Sequence, residues 1–301
     1  MNPQVTMLYD WLTISSKKHR YWEWPHLLGL PISGWEEGTG RNGFRNGMRL
    51  DGIQVWWEGS PKMNLQDFTC MNMSGQGCRY FEDNGNGFFE ALFLMVRDYP
   101  KDVRITRLDL ALDEEVGLLD MRQMCDYIRS GSYISKANYW EIIESAKGCT
   151  VQIGSEQSDV LIRIYDKAKE RGFGDDRHWI RCELQLRNAA ALGAALKITG
   201  VDQTPGSVAC GILRNYLRFM DGSDVAQWWE DFLGITEKIR IVQKVGTEYN
   251  LAALESYVIG QAGQSISTYI QCAGIDKFIE QINEKGTQLN PKQRSLVSKY
   301  M

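Results

Sequence analysis

The stretch DVLIRIYDKAKE, residues 159–170, decides how the rest of the chain is interpreted. Side chains alternate across a β-strand, so in a strand Val160, Ile162 and Ile164 share one face. The opposite face then carries Leu161, Arg163, Tyr165 and Lys167. This pattern predicts a strand with one side in a core and a phenol between two cations on the other side.

Two further stretches, ITRLDLALDEE (residues 105–115) and HWIRCELQLR (residues 178–187), repeat the two-sided pattern. Their predicted apolar faces are Leu108, Leu110 and Leu112 in the first, and Ile180, Cys182, Leu184 and Leu186 in the second. Their predicted polar faces are Arg107, Asp109, Ala111 and Asp113 in the first, and Arg181, Glu183, Gln185 and Arg187 in the second. If the three strands share a sheet with their apolar faces together, the polar groups gather on one surface, which is the predicted active site.

The overall charge and the local charge of this surface differ in sign. The chain has a formal net charge of −4, which argues against a protein that coats nucleic acid. The predicted polar faces nevertheless carry more cations (Arg107, Arg163, Lys167, Arg181, Arg187) than anions (Asp109, Asp113, Glu183). A partner that docks at one site responds to the local distribution, so we expect Arg107, Arg181 and Arg187 to contact DNA.

Several classes of protein are disfavoured by the composition. The seven cysteines are odd in number and lack CxxC spacing, which predicts neither a disulfide framework nor a zinc site. No apolar run approaches the roughly 20 residues of a membrane span, and the N-terminus lacks the pattern of a signal peptide. We therefore expect a cytoplasmic protein that does not contact a membrane.

The order of predicted elements indicates an α+β fold, an antiparallel sheet flanked by helices and followed by a mainly helical region. Residues 1–200 are predicted to form one domain around this sheet because their strands follow one another through short turns. Residues 201–301 are predicted to be helical, with a role in DNA recognition or packing, and a short strand is expected at residues 239–243. Within the first part, residues 16–47 are expected to be an irregular loop, and residues 48–59 and 71–82 to be two paired strands.

The polar residue types suggest a specific chemistry. Asp109, Asp113 and Glu183 are predicted to supply oxygen ligands to a hard divalent cation, Mg²⁺ or Mn²⁺. Tyr165 is the predicted nucleophile, and we expect Arg163 and Lys167 to favour its phenolate and to stabilise charge on a phosphate. Carboxylates, a tyrosine and flanking cations suit strand transfer at a DNA phosphodiester.

An ordered set of motifs resembles the replication initiation factor (Rep_trans) family, which contains rolling-circle initiators of plasmids and filamentous phages and related relaxases. The motifs are YDWLTIS (9–15), SGQGCRYFE (74–82), LDLALD (108–113), GSEQSD (154–159), LIRIYDKAKE (161–170) and WIRCELQLR (179–187). The resemblance implies a nuclease with an antiparallel sheet that nicks a replication origin, at a single-stranded or hairpin site, through a tyrosine. It also implies a phosphotyrosine link, a free 3′-hydroxyl primer and a host helicase as partner.

The resemblance also bears on the site residues. Many related nucleases bind metal through a His-hydrophobic-His motif, but His19, His26 and His178 have no such spacing, so the carboxylates are the expected ligands. Family members often carry an aromatic residue where this chain has Gln152, which favours Tyr165 as the matching nucleophile. Tyr133 and Tyr139 are the competing tyrosines.

Other interpretations of the same residues stay open. The chain could act as a relaxase of a conjugative element, as a non-catalytic DNA-binding regulator of phage or plasmid replication, or as a metal-dependent nuclease that uses water. Structurally, Asp109 and Asp113 could be solvated charges on an open sheet, and Tyr165 could be a packing residue. Glu183 could serve only to pair with Arg163 or Arg181.

Overall fold

The structure of the chain, a computed structural model, describes residues 1–145, 148–173, 176–241, 251–255, 258–259, 262–286, 294 and 297–298. The chain divides into two units, Met1–Gln243 and Lys244–Met301. No helix among the described residues is long and apolar enough to cross a membrane.

The described residues contain the following strands: β1 (Val5–Ser16), β2 (Glu36–Thr39), β3 (Phe44–Leu50), β4 (Ile53–Gly59), β5 (Thr69–Met73), β6 (Val103–Glu114), β7 (Tyr133–Ser135), β8 (Trp140–Ser145), β9 (Gly148–Ile153), β10 (Val160–Asp166), β11 (Ile180–Arg187), β12 (Leu217–Asp221) and β13 (Asp224–Val225). In this part of the chain ten strands form one sheet in the order β2-β3-β4-β5-β1-β6-β11-β10-β9-β8, and its pairs are antiparallel. A smaller sheet has the order β13-β12-β7.

The helices are α1 (Trp24–Leu27), α2 (Gly75–Asn84), α3 (Phe89–Asp98), α4 (Met121–Arg129), α5 (Lys167–Glu170), α6 (Asn188–Ile198), α7 (Pro205–Tyr216), α8 (Gln227–Leu233), α9 (Leu251–Glu255), α10 (Gly263–Ala273) and α11 (Ile275–Gly286). Helices α3, α6 and α7 pack against β6 in the middle of the main sheet. The predicted fold, an antiparallel α+β sheet flanked by helices with further helices near the C-terminus, is confirmed.

The three motif strands lie in one sheet and are neighbours in the order β6-β11-β10, so the condition on which the predicted active surface depends is met. Their predicted apolar residues are buried in one core: Leu108, Leu110, Leu112, Val160, Ile162, Ile164, Ile180, Cys182, Leu184 and Leu186. Each fully buried aliphatic side chain contributes on the order of 1.5–3 kcal/mol to the free energy of folding. This apolar layer fixes the strand register, because a slip of one residue would turn every apolar side chain outward.

The N-terminal third differs from its sequence-based prediction. Residues 38–47, expected in a loop, form the β2–β3 hairpin. The single strand expected at residues 48–59 is divided by a tight turn at Asp51 and Gly52, where both residues have positive φ. The paired turn residues with positive φ match a two-residue hairpin of the type favoured by Asp-Gly, a signal that was missed. The strand expected at residues 71–82 ends at Met73, and Ser74 caps α2 by accepting a hydrogen bond from the Gly77 N–H.

The first unit continues past residue 200. Helices α7 and α8 and strand β12, which the sequence assigned to the C-terminal region, contribute to the same core as the main sheet. Residues 239–241 are not in a strand, and residues 242–243 of the expected strand lie outside the described residues. In the second unit, α10 and α11 pack together, with the Tyr269 hydroxyl donating to Gln281 Oε1 at 2.7 Å.

Candidate active site

The strand register brings the predicted polar residues onto one surface. In the β10–β11 pair Arg163 lies opposite Glu183 and Tyr165 lies opposite Arg181. In the β11–β6 pair Arg181 lies opposite Asp113. Directly opposed residues on antiparallel strands point to the same side of a sheet, so these side chains are neighbours.

This surface forms an open cleft of about 850 Å³. Predicted site residues that line it are Arg107, Arg163, Tyr165, Lys167, Arg181 and Glu183. Asp109, Asp113 and Arg187 lie outside the lining. The cleft also contains residues that the sequence analysis did not select, including Asp10, Trp11, Arg79 and Gln152.

Tyr165 lies in the cleft with its hydroxyl 3.3 Å from Glu183 Oε2, to which it donates a hydrogen bond. Burial raises the pKa of Tyr165 above its usual value, and the nearby Glu183 carboxylate raises this pKa further. Arg181 acts in the opposite direction but does not outweigh them. The prediction that flanking cations favour the phenolate is therefore wrong for the protein in this state, and the phenol holds its proton.

Lys167 is not on the polar face of the strand, because β10 ends at Asp166 and Lys167 begins α5. The Asp166 side chain caps this short helix by accepting from the Lys169 N–H. Lys167 is buried at the wall of the cleft, with its Nζ paired with Glu170 and 5.4 Å from the centroid of the Tyr165 ring. Lys167 therefore lies near the phenol from the first turn of α5 and not, as predicted, from the polar face of the strand.

Arg163 binds Glu183, in agreement with one of the alternative interpretations. Its Nη2 lies 2.6 Å from Glu183 Oε1, while the other Glu183 oxygen accepts from Tyr165. Glu183 thus connects the guanidinium to the phenol. It is the only one of the three predicted metal ligands that reaches the cleft within the part of the chain that the structure describes.

The two aspartates are each covered by an arginine. Asp109 Oδ2 lies 2.5 Å from Arg107 Nη2, and Arg181 binds Asp113 through both Nε (2.6 Å) and Nη2 (2.8 Å). Asp109 is 1% exposed, and this burial raises its pKa to about 7 in spite of the pairing with Arg107. Neither aspartate is a solvated charge on an open sheet face.

The three predicted metal ligands, Asp109, Asp113 and Glu183, do not form a metal centre in this arrangement. Among the described residues no three His, Cys, Asp or Glu side chains are placed to hold one ion. Two of the three histidines are engaged elsewhere: His178 Nε2 lies 2.7 Å from Glu114 Oε2, and His19 Nδ1 lies 3.0 Å from Ser16 Oγ. A cation bound by Asp109, Asp113 and Glu183 would require all three arginine pairs to open.

The three arginines predicted to contact DNA differ in whether their guanidinium groups can reach a ligand in the cleft. Arg107 lies over the Trp11 ring at 4.2 Å from its centroid and lines the cleft. Arg181 is buried and bridges Asp113 and Asp10, with 3.0 Å between its Nη1 and Asp10 Oδ1. Arg187 donates to the Glu156 carbonyl oxygen at the turn before β10. Arg107 is therefore the best placed of the three to meet a ligand in the cleft.

Asp10 and Trp11 reach the polar face because of an irregularity in β1. The pairing of β1 with β6 shifts between Tyr9 and Trp11, which leaves Asp10 as an extra residue. Such a bulge redirects side chains, so Asp10 and Trp11 both line the cleft although they are consecutive. Strict alternation places Trp11 with the buried Tyr9 and Asp10 on the opposite, polar face. Asp10 could therefore be found from the alternation of β1, whereas Trp11 reaches the cleft only because of the bulge.

Comparisons with known proteins identify the family. Residues 103–282 match the sequence profile of the family described as replication initiation factor, Rep_trans. The chain belongs to the replication initiation factor family. The resemblance predicted from the motifs is confirmed, and the chain is placed among rolling-circle replication initiators and relaxases.

Two individual proteins support the same placement. The chain is 27% identical over 279 residues to "Putative DNA relaxase NicK" of Bacillus subtilis (strain 168), covering 81% of this chain and 74% of that protein. It is also similar to the solved structure of a rolling circle replication initiator protein from Geobacillus stearothermophilus, with a TM-score of 0.69 and 26% identity. That match covers 80% of this chain and 100% of the other.

Proposed function

We propose that this member of the family initiates rolling-circle replication by nicking one DNA strand at an origin, with Tyr165 as the nucleophile. The observation that carries the proposal is the contact of the Tyr165 hydroxyl with Glu183 in a cleft lined by Arg163, Arg181 and Lys167. A nucleophile needs a base within hydrogen-bonding reach and donors for the charge that develops on the substrate. The chain supplies both on rigid strands.

The proposed step begins with the protonated phenol, because the pKa of Tyr165 is raised. The phenolic oxygen forms a bond to the phosphorus while its proton passes to Glu183 Oε2, at 3.3 Å. The bond from phosphorus to the 3′-oxygen breaks, and that oxygen takes a proton from water to give the free 3′-hydroxyl. The products are a phosphotyrosine link to the 5′ end created by the nick and a free 3′ end that can prime synthesis.

Arg163 has two roles in this step. It holds Glu183 in the position that accepts the phenolic proton, at 2.6 Å between Arg163 Nη2 and Glu183 Oε1. As Glu183 becomes protonated, its attraction for the guanidinium weakens, and Arg163 becomes free to bind the phosphate oxygens. Lys167 Nζ lies 5.4 Å from the centroid of the Tyr165 ring and is the second cation that acts on the same phosphate.

A divalent cation, Mg²⁺ or Mn²⁺, is a separate proposal that rests on the residue types alone. The carboxylates that line the cleft in the described part of the chain are Asp10, Glu156, Glu170 and Glu183, and Arg181 and Arg163 hold Asp10 and Glu183. A requirement for the cation is measured by nicking in Mg²⁺, in Mn²⁺ and in EDTA, and we expect activity to be lost in EDTA. Full activity in EDTA would show that the carboxylates act through the arginines only.

A relaxase of a conjugative element is the second candidate, because the relative from Bacillus subtilis is described as a DNA relaxase. The reaction at the tyrosine is the same, and the difference lies in the DNA element and in the partners, among which we propose a host helicase. A non-catalytic DNA-binding regulator is the third hypothesis, and it predicts binding without cleavage.

The test is incubation with supercoiled DNA that carries the cognate origin, followed by a denaturing gel. We expect the wild type to produce open circles and a covalent protein–DNA band, and Tyr165→Phe to produce neither. Tyr139→Phe is the matched control, since Tyr139 is exposed and its hydroxyl donates to Glu141 rather than to a cleft residue. Nicking without a covalent band would favour hydrolysis by water, and binding without nicking would favour the regulator.

A further inference from the structure

A group of cations lies outside the cleft, on the small sheet and the segment that follows α8. We call Lys136, Arg218, Lys238 and Arg240 the basic patch. Lys136, Lys238 and Arg240 are exposed, and Arg218 is partly exposed. Helix α7 brings them together: Lys136 contacts Asn215 and Tyr216 at its end, and Ile239, between Lys238 and Arg240, bonds to Gly211 one turn earlier.

The small sheet places the first two cations on one side. Arg218 lies opposite Ile134 in the β12–β7 pair, and the Lys136 N–H donates to the Tyr216 carbonyl oxygen one step further along. Tyr216 and Arg218 are two residues apart, so the side chains of Arg218 and Lys136 share a face. Lys136 Nζ donates to Asn215 Oδ1 at 2.8 Å and lies 5.2 Å from the Tyr216 ring centroid.

The segment after α8 supplies the other two. The Ile239 N–H donates to the Gly211 carbonyl oxygen in α7 at 2.9 Å, and a Cβ at Gly211 would lie 2.7 Å from Ile239 Cγ1. Ile241 is buried and lies against Gly193 of α6. Because Ile239 and Ile241 are anchored on the helices, the alternate residues Lys238 and Arg240 extend into solvent.

The charges of the patch are not compensated by ion pairs. Among the described residues none of the four forms a salt bridge, and Glu237 is the one acid in residues 235–241. The cleft is different, because Arg107, Arg163 and Arg181 are each paired with a carboxylate. Burial and the repulsion from the other three cations lower the pKa of Lys136.

Mutual repulsion of uncompensated cations costs free energy in the folded protein, and a polyanion that binds them relieves it. In a chain with a net charge of −4, a local cluster of this kind is a specific attractive site rather than part of a general positive field. We propose that the basic patch binds the phosphate backbone of duplex DNA next to the nick site. The inference rests on the proposed function for the choice of DNA, and it assigns duplex holding to a surface distinct from the cleft.

The experiment compares two full-length variants with the same change in net charge. The patch variant carries Lys136→Gln, Arg218→Gln, Lys238→Gln and Arg240→Gln. The control variant carries Lys62→Gln, Lys101→Gln, Arg122→Gln and Lys197→Gln, four exposed cations for which no salt bridge is formed among the described residues. The probe is a blunt DNA duplex of arbitrary sequence, and its affinity is measured over a range of salt concentrations.

We expect the patch variant to bind the duplex at least about tenfold more weakly at low salt. The slope of log affinity against log salt concentration is negative. Its magnitude should decrease by about 0.9 for each phosphate that the variant no longer binds, and thus by about 2–4 in total. The control variant should keep a slope close to that of the wild type. Equal weakening of both variants, or a wild-type slope in the patch variant, would overturn the proposal and would favour an acidic protein as the ligand of this surface.

A second variant controls for misfolding of the fourfold patch variant. Lys238→Gln with Arg240→Gln changes two solvent-exposed side chains and leaves the Lys136–Asn215 hydrogen bond intact. It should show about half of the decrease in slope, and an unchanged slope would contradict the proposal. Duplex affinity does not require cleavage. The proposal for the basic patch is therefore tested by duplex binding, and the proposal for Tyr165 is tested separately by nicking.

Discussion

The charged residues of the cleft are neutralised in pairs. Arg107 binds Asp109, Arg163 binds Glu183 and Arg181 binds both Asp113 and Asp10. Removing one member of a buried pair leaves an uncompensated charge, which costs on the order of 3–5 kcal/mol of stability. Loss of activity in an Arg181 or Asp113 variant therefore needs a stability measurement beside it before a catalytic role is inferred.

The buried Asp109 carboxyl should make the stability of the protein depend on pH. Its pKa is raised from 3.8 to about 7 by burial, so between these values the folded state binds a proton that the unfolded state has released. The contribution of Asp109 to the free energy of unfolding is therefore constant below about pH 4, falls as the pH rises from about 4 to 7, and is constant above about 7. The total fall is on the order of 4 kcal/mol.

Denaturant unfolding of the wild type and of Asp109→Asn from about pH 4 to about pH 8 measures this contribution. The variant should lack the fall, so the difference in unfolding free energy between the two proteins should shift in favour of the variant as the pH rises. Asp67→Asn, at an exposed position, is the control and should follow the wild-type profile. Parallel curves for Asp109→Asn and wild type would mean that Asp109 is ionised throughout.

At the scale of elements, the start of α2 is fitted against the bulge in β1. A Cβ added at Gly75 would lie 2.6 Å from Asp10 Oδ1, the oxygen that accepts from Arg181. We expect Gly75→Ala to turn Asp10 away and to break this charge-assisted hydrogen bond, which contributes roughly 1.5–3 kcal/mol. The higher helix propensity of alanine offsets about 1 kcal/mol of that loss.

The net effect expected for Gly75→Ala is therefore a destabilisation of about 0.5–2 kcal/mol, measured by denaturant unfolding. Gly38→Ala is the matched control, because a Cβ at Gly38 has no atom within 4 Å and its φ is not in the left-handed region. Gly38→Ala should leave the unfolding free energy within about 0.5 kcal/mol of wild type. Unchanged stability in Gly75→Ala would show that Asp10 and α2 adjust without cost.

The elements that could be predicted from sequence are those with a strict period. Strands β6, β10 and β11 have an apolar residue at every second position, so their core faces follow from alternation. Their order in the sheet does not follow from alternation, because it depends on pairing between distant segments. Strand β1 departs from the period at its bulge, so the position of Trp11 in the cleft could not be predicted from alternation. Lys167 was misplaced for a related reason, because Asp166 caps a helix at the position where the strand pattern would continue.

The candidate site could be predicted as a set of residues but not as a set of pairs. Alternation brings Arg163, Tyr165 and Glu183 to one surface, and their contacts agree with it. It does not specify which arginine covers which carboxylate, since that depends on register and rotamer. The direction of the Tyr165 pKa shift was missed because burial of the ring, which cannot be seen in the sequence, outweighs the charge of nearby cations.

At the scale of the whole molecule, the first unit needs the residues between 201 and 243. Ile212, Leu213, Phe219, Trp229, Phe232 and Leu233 are all fully buried in the core that underlies the sheet. Six such side chains contribute roughly 9–18 kcal/mol, which equals or exceeds the usual net stability of a domain.

A chain that ends at residue 200 should therefore fail to give a cooperative unfolding transition, whereas one that ends at residue 243 should unfold cooperatively. Circular dichroism during thermal unfolding distinguishes the two. If the shorter chain folds, the helices α7 and α8 are an addition to the core rather than part of it. The longer chain lacks most of residues 201–301, for which the sequence predicts a role in DNA recognition or packing. A role in recognition should appear as reduced discrimination between origin and unrelated DNA, with nicking retained.

The central claim is that Tyr165 becomes covalently bound to DNA, and peptide mapping of the trapped adduct tests it most directly. Trypsin cleaves after Arg163 and Lys167, so Tyr165 is released in residues 164–167, whereas Tyr139 lies in residues 137–147 and Tyr133 in residues 130–136. Mass spectrometry should find the nucleotide on residues 164–167, and Tyr165→Phe should yield no adduct. A nucleotide on either of the other two peptides, or an adduct that persists in Tyr165→Phe, would contradict the claim.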